Sequence, residues 1–207
     1  MSHTTTPFDR RSLLTAAGAG AAVAAIYPTR ANADSTTGLR VKEKLLFVDS
    51  AKRQRFLWQS TKPPVYVQGR ELPAEARGGP PNGSYFIFND EDQNEKGGIT
   101  VSRNGATMGL DYPNVQAITF GTVYQDKDGA SQLAMVEMPD PDIPVEELTR
   151  EDVPLRVLLG TSNVGDGALL FLLDHDGRPR ITLHVPDTEG DVPTIRVLDE
   201  NGGVVAS

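Results

Sequence analysis

The sequence predicts an all-β, antiparallel fold, a barrel or a sandwich of short hairpins carrying one short helix, on three observations. Short apolar runs that end in Asp, Asn or Gln recur five times along the chain. Tetrads rich in Asp, Asn and Gly follow several of these runs, and such residues accept the left-handed backbone a tight hairpin needs. Towards the C-terminus the apolar residues fall at every second position, the period of a half-buried strand.

In chain order the runs are Leu45–Asp49, Tyr85–Asn89, Gly121–Asp126, Leu170–Asp174 and Thr194–Asp199, each followed by a second apolar stretch. Asp126-Lys127-Asp128-Gly129, Asp174-His175-Asp176-Gly177 and Asp199-Glu200-Asn201-Gly202 are expected to close hairpins. Asn82-Gly83 and Asn104-Gly105 are two more turn signals. Leu155–Gly160 and Pro179–Val185 are predicted strands. The uneven spacing of the runs does not define a solenoid or propeller. Pro144 and the acids around it, with Arg150 behind them, predict a short helical linker near 142–150. Lys62-Pro63-Pro64 and Gly78-Gly79-Pro80-Pro81 are expected to be surface loops.

Ahead of this body lies Asp9-Arg10-Arg11-Ser12-Leu13-Leu14-Thr15, an Ala/Gly-rich apolar run to Ile26, and Ala31-Asn32-Ala33. The stretch resembles a bacterial twin-arginine export signal, whose pattern is Ser/Thr-Arg-Arg-x-Phe-Leu-Lys. Arg10, Arg11 and the apolar pair match, while Asp9 and Thr15 depart from it. The resemblance implies a helical or unstructured signal over 1–33, export of the folded chain by the twin-arginine translocase, and cleavage after Ala33. A single β domain over 34–207 would then be released to the periplasm or the outside of the cell. The apolar run is shorter than the roughly 20 residues that span a bilayer, so no stable membrane anchor is expected. The stretch from Tyr85 to Asp92, continuing through Gly97-Gly98-Ile99, is similar to an uncharacterised bacterial group built from strand–Asp/Asn–Gly–strand hairpins. That likeness implies β structure only.

Composition narrows the chemistry. The chain has 207 residues and a net charge of −8; loss of the leader would take it to about −10. Such a surface repels nucleic-acid backbones and anionic lipid. With no cysteine, disulfides, thiol catalysis and thiolate metal sites are excluded. Only His175 and His184 remain beyond the leader, which excludes a histidine-rich metal centre.

The candidate sites are few. Asp90, Asp92 and Glu95 sit in a polar run where alternating carboxylates could hold calcium, although Asn94 stands where an EF-hand loop requires Gly. The alternative is a solvated hairpin turn. Asp174-His175-Asp176-Gly177 reads as a turn before it reads as a metal motif. Arg103, Asp111 and Tyr112 flank Gly109-Leu110 and could serve proton transfer on an anionic substrate. His184, on the polar face of its strand, could act as a base. Trp58, the only tryptophan, is expected in the core, with ligand stacking as the alternative. Serine-nucleophile, P-loop and dinucleotide motifs are missing from the body of the chain.

Three functions stay open on these grounds. The first is an exported binding or interaction protein, acting on an unknown small molecule or protein and needing no cofactor. The second is a small β-barrel isomerase, cyclase or lyase using carboxylate, Tyr and Arg groups. The third is a calcium-stabilised accessory protein. Exposed strand edges leave homo-oligomers open as well.

Overall fold

Asp-closed turns and alternating strands account for nearly all of the architecture. The computed structural model describes residues 41–164 and 167–207; the stretch expected to be an export signal, with Arg10, Arg11 and Ala33, lies outside the described residues. Strands β1 (Lys44–Val48), β2 (Gln54–Gln59), β3 (Val65–Val67), β4 (Arg70–Leu72), β5 (Ser84–Asn89), β6 (Glu95–Ser102) and β7 (Gly105–Asp111) form the first half. Strands β8 (Gln116–Gln125), β9 (Asp128–Val136), β10 (Leu155–Ser162), β11 (Gly167–Leu173), β12 (Pro179–Val185), β13 (Thr194–Leu198) and β14 (Val204–Ala206) form the second. Twelve of them make one antiparallel sheet in the order β1-β2-β5-β6-β7-β8-β9-β10-β11-β12-β13-β14, and β3 and β4 form a separate hairpin. The sheet stays open, with β1 and β14 at its edges.

One turn is built four times. It begins at Asp49, Asp90, Asp174 and Asp199. In each case the Asp N–H donates to the carbonyl four residues on, and the N–H three residues on donates back to the Asp carbonyl. The Asp Oδ1 accepts the N–H groups two and four residues on, at 2.7–3.0 Å. The residue before the closing pair is left-handed: Lys52, Gln93, Gly177 and Gly202, with φ of 64°, 70°, 72° and 83°. This is a three-residue hairpin loop with a bulge, and the strand register slips beside each of the four. The carboxylate takes up N–H groups the bulge would otherwise leave unpaired. The turn predicted at Asp126 is different. Asp126 and Lys127 alone connect β8 to β9, Asp126 itself is left-handed at φ 56°, and Gly129 already lies in the strand.

The predicted helix near 142–150 does not form. The segment is a chain of turns, with N–H bonds from Ile143 to the Asp140 carbonyl and from Glu147 to the Pro144 carbonyl. Side chains from elsewhere hold its carbonyls. The Asn114 amide donates to Asp140 and Ile143, and the Gln68 amide donates to Pro141 and Ile143, all at 2.9–3.0 Å. Arg70 fixes Glu146 with two bonds of 2.8 and 2.9 Å. Tertiary bonds override a helix too short to nucleate alone.

The core is small and lies to one side. Leu57, Tyr85 and Ile87 are buried on β2 and β5 beneath the segment from Lys62 to Gly83. A 3-10 turn at Ala74–Ala76 and the buried Pro63 belong to that cover, so the Pro-rich stretch is more than a surface loop. The Tyr85 hydroxyl donates to the Pro80 carbonyl at 2.5 Å and ties the cover to the sheet. Tyr85→Phe is expected to lower the unfolding free energy by about 1 kcal/mol, the net worth of a buried hydrogen bond. Urea denaturation would read it, and an unchanged midpoint would show the bond contributes nothing. Over β8 to β14 the described residues supply no comparable cover. Among the described residues, the substantial contact between elements not paired in a sheet is β3 against β6.

Candidate functional site

The face of the sheet opposite the Tyr85 core carries two apolar rows. Cross-strand pairing runs the first from Leu45 to Trp58, Phe86, Ile99, Met108 and Phe120. It continues through Leu133, Leu159, Leu170 and Leu183 to Ile195, eleven strands in all. The second row lies two residues nearer the Asp-turn edge. It starts at Phe47, Phe56 and Phe88, and passes Leu110, Ile118 and Met135. It ends at Val157, Leu172, Ile181 and Val197. Its one gap is Gly97, where a Cβ would stand 2.2 Å from the Gly109 carbonyl and 2.8 Å from the Phe88 ring, so that ring fills the place. A third row, beyond the first, mixes Ser84, Thr122, Ser131 and Thr161 with Val101, Ala106, Ala168 and Val185 and bounds the band.

Much of the band is open to solvent. Phe120 is 50 % exposed, Leu159 48 %, Ile195 59 % and Trp58 58 %. Trp58 is therefore not a core residue, contrary to expectation. It sits on the open face, edge-on to Phe86 at 5.9 Å between ring centres, while Phe56 stacks on Phe86 at 6.0 Å. Among the described residues seven apolar side chains, proline aside, are buried, whereas twenty-two large ones are exposed. Ten of the exposed ones lie in the two rows, a clustering that sets this surface apart from ordinary scattered exposure.

On the covered side lies the most buried charge. The Arg77 guanidinium holds Glu95 with bonds of 2.6 and 2.5 Å and donates to the Pro63 and Pro64 carbonyls at 3.0 and 2.8 Å. Both side chains are about nine-tenths buried. Asp111 feels this pair. Burial, with the Glu95 charge adding to it, pushes its carboxyl up to about 7, against the pull of Arg77 and Lys96.

The structure does not bring Arg103 or His184 to Asp111. Arg103 lies in the turn at the far end of β7, a strand about 20 Å long, and its carbonyl accepts the Tyr124 hydroxyl at 2.8 Å. Tyr112 uses its N–H in the turn after β7, bonding the Val115 carbonyl at 2.8 Å. His184 is on β12, five strands along the sheet. Two shallow clefts, one beside Trp58 and Ser84 and one beside Tyr66 and Asn94, include none of these four residues.

The carboxylates considered for calcium are separated too. Asp90 spends Oδ1 on its turn and pairs Oδ2 with Lys96 at 3.1 Å. Burial raises its pKa, but Lys96 and the turn N–H groups outweigh that and hold it below the usual range. Asp92 points outward, and Glu95 belongs to Arg77. No group of three or more His, Asp or Glu side chains placed to hold a metal occurs among the described residues. His175 Nδ1 lies 3.3 Å from Glu137 Oε1, and Glu137 also pairs with Arg156.

Sequence reasoning missed Arg77, a lone arginine between Ala76 and Gly78 with no periodicity to mark it. A repeat was visible but unread: Asp49 and Asp174 are each followed by Arg at the fourth and sixth positions. Arg53 and Arg55, like Arg178 and Arg180, return to the Asp Oδ2 within 2.8–3.8 Å. The chain matches no protein-family model, no curated protein and no solved structure.

Proposed function

We propose that this chain is an exported, extracytoplasmic protein that works by binding, with the two apolar rows as its working surface. The leader that resembles a twin-arginine signal supports the location. The rows support the mode of action, and they are the observation that carries the reading. A band of large apolar residues crossing eleven strands is a contact surface by its chemistry, because leaving it in water forgoes roughly 25 cal/mol per Å² of stabilisation. The test is native mass spectrometry of the protein taken from its host's extracytoplasmic fraction. The expected species starts near Asp34 and weighs more than one chain. A folded, bare single chain would count against binding, and a chain still starting at Met1 would count against export.

A second reading, the small isomerase or lyase, has one observation in its favour. Asp111 is a half-buried carboxyl whose pKa is pushed up to about 7, in the range a general base needs. Its weakness is that Arg103 lies at the far end of β7 and His184 five strands away.

A further inference from the structure

Building on the binding role proposed above, we infer that the occupant of the apolar face is a second copy of this chain, docked face to face so that two open sheets share one core. Four observations converge on it.

The first is architectural. Stable domains bury the apolar side of a sheet against a second layer. Here β8 to β14 receive no such layer from the described residues, and the buried cluster of Leu57, Tyr85 and Ile87 lies at the other end of the sheet. The missing layer must be present whenever the protein is folded. A second copy meets that condition, because it is made at the same time and place.

The second is size. Eleven strands spaced about 4.8 Å apart, with two rows about 7 Å apart, give a band of about 50 by 14 Å, or about 700 Å². The largest patch on a typical monomer is about 300–600 Å². A standard stable interface takes about 800 Å² from each partner. The band is therefore too large for chance exposure and close to what a stable dimer uses.

The third is charge. The chain carries a net −8, yet neither row contains a charged residue. A cationic partner would find nothing to pair with there. Two copies can approach through this face without opposing like charges, and a two-fold axis makes the same rows meet themselves. Sheets packed this way lie about 10 Å apart with side chains interdigitated.

The fourth is the height of the band. A membrane-spanning barrel needs an apolar belt about 25 Å tall, roughly twice what two rows provide. Ser84, Thr122, Ser131 and Thr161 end the belt on one side, and the Asp turns end it on the other.

The chain has no cysteine, so a single introduced thiol reports its own surroundings. The test combines sedimentation velocity of the full chain with thiol labelling of Phe120→Cys, in the first row, and of Thr107→Cys, exposed on the opposite face. A discrete dimer, twice 22.3 kDa, is expected, with the thiol at position 120 reacting at least tenfold more slowly than the one at 107. Leu159→Asp is expected to abolish the dimer. Should that variant fail to fold, the labelling ratio still decides. A dimer in which both thiols react alike would join through the strand edges and overturn the proposal. So would a monomer whose position 120 is shielded, since its own residues 1–40 would then be the occupant. A recombinant monomer with an open face also overturns self-association. In that case the binding role survives only if the host-derived protein carries a different component, such as a protein or lipid.

Discussion

Arg77→Ala is expected to lower the unfolding free energy by about 3–5 kcal/mol, the cost of leaving one member of a buried ion pair without its partner. The reason is geometric. Arg77 satisfies the Glu95 carboxylate and two carbonyls, those of Pro63 and Pro64, in a place where water has little access. Its own carbonyl also accepts from Lys62 at 3.1 Å, so the cover over Tyr85 is knit through this one residue. Urea denaturation measures the effect. The control is Arg77→Met combined with Glu95→Met, which removes the orphaned charge and should recover much of the loss. A double variant as unstable as the single would show that the carbonyl bonds matter more than the charge. Arg77→Ala with a midpoint unchanged within error would show that the pair is not buried in solution.

The second large effect is a pH dependence centred on Asp111. Its carboxyl is raised in the folded chain from an ordinary 3.8 to about 7, chiefly by burial. A raised pKa means the folded state holds the proton more tightly than the unfolded state does. The stability this provides is complete below about pH 4 and is lost as pH rises towards 7; above that the folded protein carries a buried charge. The difference amounts to at most about 4 kcal/mol. Asp111→Asn keeps the shape and cannot ionise. The variant is therefore expected to be more stable than the parent at about pH 8 by a few kcal/mol and to match it near pH 4. Comparing the two chains isolates Asp111 from the other acids, which run the opposite way. Asp49 and Asp174 are held down by N–H groups in their turns, and Glu146 is held at about 2 by Arg70. Their stabilising contribution is present at neutral pH and fades as acid protonates them. A parent and variant with parallel stability curves from pH 4 to 8 would show that Asp111 titrates normally.

Local signals in this chain proved good guides wherever one stretch decides its own structure. Every predicted apolar run became a strand, because alternation and Asp-closed turns need no distant partner. The same logic failed at 142–150, where the local helix signal was outweighed by Gln68, Arg70 and Asn114 reaching in from other elements. It failed at Trp58, since a lone tryptophan on an alternating strand reads the same whether its face is covered or bare. Arg103 and Asp111 stand at opposite ends of β7, because closeness in sequence along a strand becomes separation in space at about 3.4 Å per residue.

The sequence by itself determined the strands, the repeated Asp turns, the acidic balance, the lack of thiol chemistry, and the alternation that sorts each strand into two faces. All of these depend on residues within a few positions of one another. Only the tertiary structure decided that the hairpins join into one open sheet, that Arg77 and Glu95 meet beneath the Pro-rich cover, and that the apolar residues of eleven strands align into continuous rows on an uncovered side. Those outcomes depend on register between strands and on which segment folds over which face. Both are set by contacts between distant parts of the chain, and the order of residues along it does not display them.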